Sequence, residues 1–198
     1  MSRRAFSVTY DYRCPFARNA NEAVVSAVRS GALADVKWRF VPFSLDQSHL
    51  EEGAVPVWEQ DPADWGTGVL ALLYGIAVRD MFPDRFLDVH VALFAARYDQ
   101  GRKLDDEAVL RDVVISVGLD ADAVAEEVWS GRPLKTLMSE HLQAVDEWDV
   151  FGVPTFVEHD EAVFVRFMDR GRVDDLERMV GMLDWTRLNE FKRTRLPR

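Results

Sequence analysis

The two ends of this 198-residue chain carry strand patterns, whereas roughly a hundred residues between them carry only helical ones. Near the N-terminus, Phe6–Tyr12 alternates aromatic or β-branched residues with polar ones, and Asp35–Phe43 returns to the same period of two. The run that opens at Cys14-Pro15 and stops at Gly31 has apolar residues at helical spacing. This β-α-β order predicts two parallel strands joined by a right-handed crossover.

The central part of the chain predicts helices and no strand. Leu50–Trp65 favours loop with short helical pieces, and Gly66–Asp99 is strongly helical. That helical run is broken near Phe82-Pro83, because proline disfavours helix at the residue before it. Three further helices are predicted, after Asp105 or Asp106 as the N-cap, over residues 120–130 and over residues 134–148.

The strand pattern resumes near the C-terminus. Pro154–Val157 and Val163–Phe167 flank the polar turn His159–Glu161 and predict a hairpin, which a last amphipathic helix over residues 173–183 follows. The predicted fold class is α/β, with a mixed sheet and an inserted all-helical domain. We expect residues 1–45 and 150–198 to form the sheet domain and residues 46–149 the helical insertion. No Gly/Ser linker separates them, so the insertion should pack onto the sheet domain.

Composition and charge exclude several classes of protein. The net charge of −10 argues against general nucleic-acid binding, which needs a basic face. No signal-type apolar region follows the N-terminal arginines, and Gly68–Val78 is too short to span a bilayer. We therefore expect no membrane partner and a cytoplasmic location, where a free thiol stays reduced. The oligomeric state is not predicted.

The sequence predicts neither a metal nor a nucleotide cofactor. Its four histidines, His49, His90, His141 and His159, show no metal-ligand spacing. No glycine-rich phosphate loop is present. The single cysteine excludes an internal disulfide, a Cys-rich zinc site and a dithiol pair within one chain.

That cysteine, Cys14, is the main candidate for chemistry. It falls where a strand ends and a helix begins, with Pro15 at the first helical position. As the N-cap, its sulfur would face the free N–H groups of Phe16 and Ala17 and the positive end of the helix dipole. Both features favour thiolate over thiol.

Two arginines flank this cysteine. Arg13 precedes it and Arg18 lies four residues on, so we expect both to add positive potential and to lower the pKa of Cys14. The alternative is an inert core cysteine, since free cysteine is among the most buried residue types. An inert cysteine would need neither the proline nor the arginines, which favours the reactive thiolate.

A second motif, Gly152–Phe156, carries Pro154 at the first position of a predicted strand. Proline can occupy that position for an ordinary reason, because no ladder hydrogen bond is needed there. Local sequence alone therefore favours a trans peptide bond.

Taken together, Tyr10–Ala17 and Phe151–Val157 resemble the DsbA-like branch of the thioredoxin superfamily, and the resemblance covers the whole chain. It implies a thioredoxin-like fold with a helical insertion. It also implies a cis Val153–Pro154 bond beside the sulfur, with Val153, Pro154 and Thr155 shaping a thiol or peptide site. There the Val153 backbone would pair with an extended substrate or thiol, as an added strand does.

One departure from that family pattern matters. The usual Cys-x-x-Cys site is here Cys14-Pro15-Phe16-Ala17, so the resolving thiol is absent. General dithiol oxidase activity is therefore not expected. A monothiol cycle remains open, in which Cys14 attacks a small-molecule or peptide disulfide and glutathione or mycothiol releases it.

Two other functions stay open. Kappa-class glutathione transferases and hydroxychromene-carboxylate isomerases resemble this plan, but they typically carry serine at the Cys14 position and take their thiol from the cofactor. Glu190–Arg195 resembles the tail of mycothiol-dependent nitroreductase-type members, although the match is short and an ordinary solvated basic tail explains it better. A binding protein that kept the fold and lost turnover is the third hypothesis.

Overall fold

The computed structural model describes residues 4–190. Within them, four strands form one sheet: β1 (Arg4–Tyr10), β2 (Val36–Pro42), β3 (Thr155–Glu158) and β4 (Glu161–Phe164). The helices are α1 (Pro15–Ser30), α2 (Leu45–Ser48), α3 (Val69–Met81), α4 (Pro83–Tyr98), α5 (Glu107–Ser116), α6 (Ala121–Trp129), α7 (Arg132–Trp148) and α8 (Val173–Leu183). Most of the tail singled out above, from residue 191 on, lies outside the described residues.

The sheet is mixed, with strand order β2-β1-β3-β4. β1 is central and pairs with β2 in parallel and with β3 antiparallel, so that Val8 lies opposite both Phe40 and Phe156. All three side chains are buried, which explains why β1 can carry apolar residues on the face that holds the core. The predicted α/β class, the parallel β-α-β unit and the C-terminal hairpin are confirmed.

β1 ends two residues earlier than predicted, at Tyr10 rather than Tyr12. Asp11 ends the strand because its carboxylate accepts the Arg13 N–H at 2.8 Å, while its carbonyl accepts the Cys14 N–H at 3.0 Å. An Asp side chain that bonds the backbone two residues on forms a turn of its own. This turn sets the position of the only cysteine.

β4 is also displaced from its prediction. It covers Glu161–Phe164 rather than Val163–Phe167, because the hairpin turn uses only His159 and Asp160. His159 adopts the left-handed conformation, with φ 54°, that such two-residue turns require. Val165–Phe167 therefore leaves the sheet and forms a loop, which places Arg166 outside the strand.

The helical segment between β2 and β3 packs against the sheet rather than apart from it. One continuous apolar core contains residues of both parts. α4 packs on α1 and α7 packs on β2. The division into domains 1–45 with 150–198 and 46–149 stays a prediction. α2 was not predicted, and it forms because Ser44 Oγ accepts the Gln47 N–H at 3.1 Å.

A fully buried histidine joins the helical segment to the first helix. His90 Nδ1 lies 2.9 Å from the Tyr12 hydroxyl, and its Nε2 lies 3.1 Å from Asn21 Oδ1. Asn21 Oδ1 can only accept, so Nε2 carries the proton and Nδ1 accepts from Tyr12. Burial lowers the pKa of His90 to about 3, and it lowers that of His141 to about 4. Both rings are therefore neutral in the folded protein near pH 6.

These two histidines predict a loss of stability in mild acid. In the unfolded chain they take up protons below about pH 6.5, whereas in the folded protein they do not. The free energy of unfolding therefore decreases as the pH is lowered. We expect roughly 1.4 kcal/mol per pH unit per histidine between pH 6 and 5, measured by urea denaturation. His90→Gln should remove about half of that slope, and an unchanged slope would contradict the assignment.

Across residues 4–190, no helix is both long and apolar enough to cross a membrane. In the same range, no three His, Cys, Asp or Glu side chains are grouped so that they could hold a metal ion.

Candidate active site

Cys14 occupies the N-cap of α1, as the sequence predicts, with φ −94° and ψ 118°. Its sulfur accepts the Ala17 N–H at 3.4 Å, and its thiol donates to the Val153 carbonyl, also at 3.4 Å. The side chain is partly exposed. Pro15 beside it is exposed, Phe16 is half-buried and Ala17 is buried.

The loop before β3 faces the sulfur. The Val153–Pro154 peptide bond is cis. Two hydrogen bonds of Thr155 fix this loop: its N–H donates to Thr9 Oγ1 of β1 at 2.8 Å, and its hydroxyl donates to the Gly152 carbonyl within the loop, also at 2.8 Å. The hydroxyl of Thr155 is therefore buried and occupied, and this residue positions the loop rather than offering its side chain to a ligand.

The pKa of Cys14 is raised, which corrects the expectation of a lowered value. Burial is the largest cause, and it outweighs the N–H groups of Ala17 and Phe16, which favour the thiolate. The nearby Asp11 carboxylate raises the pKa further, and the Arg166 guanidinium lowers it. The start of α1 favours the thiolate, as the sequence suggests, but burial of the sulfur raises the pKa by more than the helix start lowers it.

Arg13 does not supply the expected positive potential to the sulfur. Its Nη1 lies 2.5 Å from Asp46 Oδ1, and its Nε lies 3.9 Å from Asp11 Oδ1. The Arg13 carbonyl accepts a hydrogen bond from the Tyr98 hydroxyl. The guanidinium charge is thus compensated by two carboxylates, and the residue fixes the loop between β1 and α1.

Arg18 is also paired with carboxylates. The expectation that it lowers the pKa of Cys14 is therefore corrected for the same reason as for Arg13. Arg18 lies 2.9 Å from Glu22 and 2.5 Å from Asp99. Arg170 contacts the same two carboxylates, at 2.8 Å and 3.2 Å. This network of two cations and two anions, in which Arg18 and Glu22 are buried and Asp99 and Arg170 are exposed, joins α1, the end of α4 and the loop before α8.

Sequence reasoning missed Arg166, which the structure brings to the site. Its guanidinium carbon lies 5.3 Å from the centre of the Phe16 ring and 5.4 Å from that of Phe164. Phe164 in turn packs on Phe151, with ring centres 5.1 Å apart. A signal was present, because Arg166 is the only charge in the apolar run Val163–Phe167.

A cavity of about 490 Å³ lies on the helical side of the site, against Tyr98. Arg97, Arg102 and Lys103 line it, and Arg102 is paired with Asp112 at 2.6 Å. The cavity adjoins the site through the contact between Tyr98 and the Arg13 backbone. Asp105 also lines the cavity, so its lining carries charges of both signs.

The effect of Asp11 on the thiol predicts a measurable change in reactivity. Asp11→Asn removes the buried carboxylate that raises the pKa of Cys14, so that pKa should fall. Alkylation of the folded variant by uncharged iodoacetamide should then reach half its maximal rate at a lower pH than in the parent protein. Circular dichroism checks that the variant is folded, and an equal or higher pKa would refute the assigned role.

Comparisons with known proteins agree with this fold. The family described as the DSBA-like thioredoxin domain matches residues 7–181, which include Cys14 and the loop at Pro154. No curated protein matches the chain.

Solved structures with the same fold carry names of different kinds, among them a disulfide reductase, DsbA and an isomerase. The cytosolic disulfide reductase DsbM of Pseudomonas aeruginosa, solved with GSH, has a TM-score of 0.64 at 16% identity, over 90% of this chain and 98% of that one. DsbA of the same organism has a TM-score of 0.63 at 19% identity, over 94% of this chain and 85% of that one. A 2-hydroxychromene-2-carboxylate isomerase has a TM-score of 0.65 at 17% identity, over 92% of this chain and 97% of that one. At these identities the likeness establishes the fold.

Proposed function

The chain belongs to the DSBA-like thioredoxin domain family, and on that premise we propose that it is a monothiol exchange enzyme. It has the fold of thiol–disulfide oxidoreductases and isomerases of the DsbA type. Cys14 is its nucleophile, and a low-molecular-weight thiol, glutathione or mycothiol, is its co-substrate. Its substrates are small-molecule or peptide disulfides.

One observation carries this proposal. The only cysteine of the chain is a partly exposed N-cap whose sulfur touches both the first turn of α1 and the Val153 carbonyl, while Ala17 occupies the place of a second cysteine. The sulfur is thus held by the backbone at a position open to a disulfide. The chain has no second thiol that could attack a disulfide formed at Cys14.

The cycle has two exchange steps. In the first, the Cys14 thiolate attacks a sulfur of the substrate disulfide R–S–S–R′, that bond breaks, and R–S⁻ leaves and takes up a proton. The enzyme now carries Cys14–S–S–R′. In the second, a free thiolate attacks the R′ sulfur, the enzyme's S–S bond breaks, and Cys14 returns as thiolate. The net reaction is R–S–S–R′ + R″–SH → R–SH + R″–S–S–R′: the sulfur of R is reduced to a thiol, the sulfur of the free thiol is oxidised into the new disulfide, and the number of disulfides is unchanged.

The raised pKa of Cys14 affects the two steps of this cycle in opposite ways. A thiol of high pKa is a poor leaving group, so a disulfide made with it gives up its sulfur reluctantly. Its thiolate is correspondingly the better nucleophile. Because the thiol predominates near neutral pH, the exchange rate should rise with pH through the pKa of Cys14.

A second candidate function follows from the hydrogen bond to Val153. In its protonated form, Cys14 donates through S–H, as a serine hydroxyl would. The same group could instead donate to the thiolate of bound glutathione or mycothiol and orient it for transfer or isomerisation. In that function the sulfur of Cys14 forms no covalent bond.

We place the reaction in the cytoplasm. A reducing compartment keeps an unpaired cysteine as a thiol and supplies the free thiol that the second step consumes. The single cysteine of the chain supports this location.

Steady-state kinetics test the proposal. A peptide–glutathione mixed disulfide is the substrate, and glutathione or mycothiol is varied as the second reactant. Double-reciprocal plots should give parallel lines, because the first product leaves before the second thiol binds. Intersecting lines would oppose the monothiol cycle and favour the bound-thiol function.

A further inference from the structure

Arg166 differs from the other arginines next to the site. Arg13, Arg18 and Arg170 are each paired with carboxylates, whereas within residues 4–190 Arg166 has no carboxylate within 4.0 Å. Its side chain is exposed. An exposed cation without a partner inside the described fold is available to a ligand.

The setting of Arg166 suits the binding of an anion. Its guanidinium lies over Phe16 and Phe164, at 5.3 Å and 5.4 Å from the ring centres. Contact with aromatic faces holds the planar group while leaving N–H donors at its edge. A carboxylate can take two of these donors at once. Less side-chain entropy is then lost on binding than for a freely moving arginine.

Phe16 also places this cation close to the reacting sulfur. It belongs to the first turn of α1, two residues after Cys14, and its own N–H faces that sulfur. On the other side, Phe164 packs on Phe151, which is 73% exposed. The guanidinium is thus held at an exposed aromatic surface that begins beside Cys14.

The negative net charge of the molecule increases the importance of the Arg166 cation for anionic reactants. The chain carries a net charge of −10 and would by itself repel anionic reactants. Asp160 and Glu161 lie at the hairpin turn, at the opposite end of β4 from Arg166. A local cation beside the sulfur can offset that repulsion where the reaction occurs.

We propose that Arg166 binds a carboxylate of the incoming disulfide or thiol and so makes Cys14 selective for anionic reactants. This inference rests on the proposed monothiol function and names the class of reactant that it uses. Glutathione, which carries two carboxylates, is favoured over mycothiol, which carries none.

Two reagents of opposite character test the selectivity. The disulfide 5,5′-dithiobis(2-nitrobenzoate) is a dianion, and 2,2′-dithiodipyridine is uncharged at neutral pH. Second-order rate constants for both are measured on the folded protein at low salt. Any change in the amount of thiolate affects both constants equally, so their ratio reports recognition of the charge alone.

We expect Arg166→Met to lower the ratio of anionic to neutral rate constants roughly fivefold or more, as expected for a charge-assisted hydrogen bond that is lost. Arg166→Lys keeps the charge and should retain part of the ratio. Arg29→Met is the matched control, because it removes one cation at the far end of α1. Arg97→Met removes a cation from the cavity against Tyr98, and it should also leave the ratio unchanged.

The outcomes are distinct. If Arg166→Met lowers both constants equally, Arg166 acts only on the amount of thiolate, and the selectivity is refuted while the monothiol function stands. If Arg97→Met and not Arg166→Met lowers the ratio, the anion binds in the cavity and the assignment is wrong. If the folded parent protein reacts with neither reagent, the proposed function fails and the selectivity fails with it.

Discussion

We expect Cys14→Ser to abolish thiol–disulfide exchange by this protein, to the level of the reaction without enzyme. Exchange needs a sulfur nucleophile, and Cys14 is the only one in the chain. The substitution keeps a small polar N-cap, and serine is a preferred residue at that position, so α1 should form as before. The measurement is the release of the leaving thiol from a peptide–glutathione mixed disulfide in the presence of glutathione.

Cys14→Ala serves as the companion variant. It removes the cap as well as the sulfur and, relative to the serine variant, should cost about 1 kcal/mol of stability, which urea denaturation detects. If the serine variant keeps substantial turnover and the alanine variant does not, Cys14 donates a hydrogen bond to a bound thiol. The transferase or isomerase function would then replace the monothiol cycle.

Ala17→Cys should convert the site into a dithiol. The Ala17 N–H lies 3.4 Å from the Cys14 sulfur, because the two residues are the N-cap and the third residue of α1. A cysteine there can attack the mixed disulfide at Cys14 from within the molecule. Such intramolecular attack has a very high effective concentration, so release of glutathione should be roughly a thousandfold faster than with millimolar external thiol.

The measurement is the release of glutathione from the glutathionylated variant when no thiol is added. Ala20→Cys is the matched control, since Ala20 is equally buried and lies on the same helix. Six residues along a helix span about 9 Å, beyond the reach of a disulfide. If Ala17→Cys keeps its glutathione as the control does, the side chain at position 17 does not reach the Cys14 sulfur, and the site geometry described here is wrong.

The sequence was sufficient to predict the order of the elements and the place of the cysteine. The period-two and helical patterns are local, and so is the signal of Cys14-Pro15 for a helix start. β1 was predicted too long because the side chain of Asp11 competes with the ladder for the backbone. That competition is also local, and its signal is an Asp three residues before the N-cap.

The electrostatics of the site could not be predicted in this way. Arg13 is neutralised by Asp46 and Arg18 by Asp99, and these partners are brought near only by the fold. The raised pKa of Cys14 comes mainly from burial, which depends on what covers the sulfur rather than on its neighbours in sequence. Flanking arginines therefore predict a cation nearby, but not the net field at the thiol.

The account depends most directly on whether Cys14 of the folded protein forms a mixed disulfide that an outside thiol then clears. Intact-protein mass spectrometry measures this after exposure to glutathione disulfide, with the same protein in urea as the reference for a fully accessible thiol. We expect one glutathione on the folded protein, formed faster at higher pH and removed at a rate proportional to added thiol. A folded protein that stays unmodified, while the unfolded chain becomes fully modified, would contradict the account.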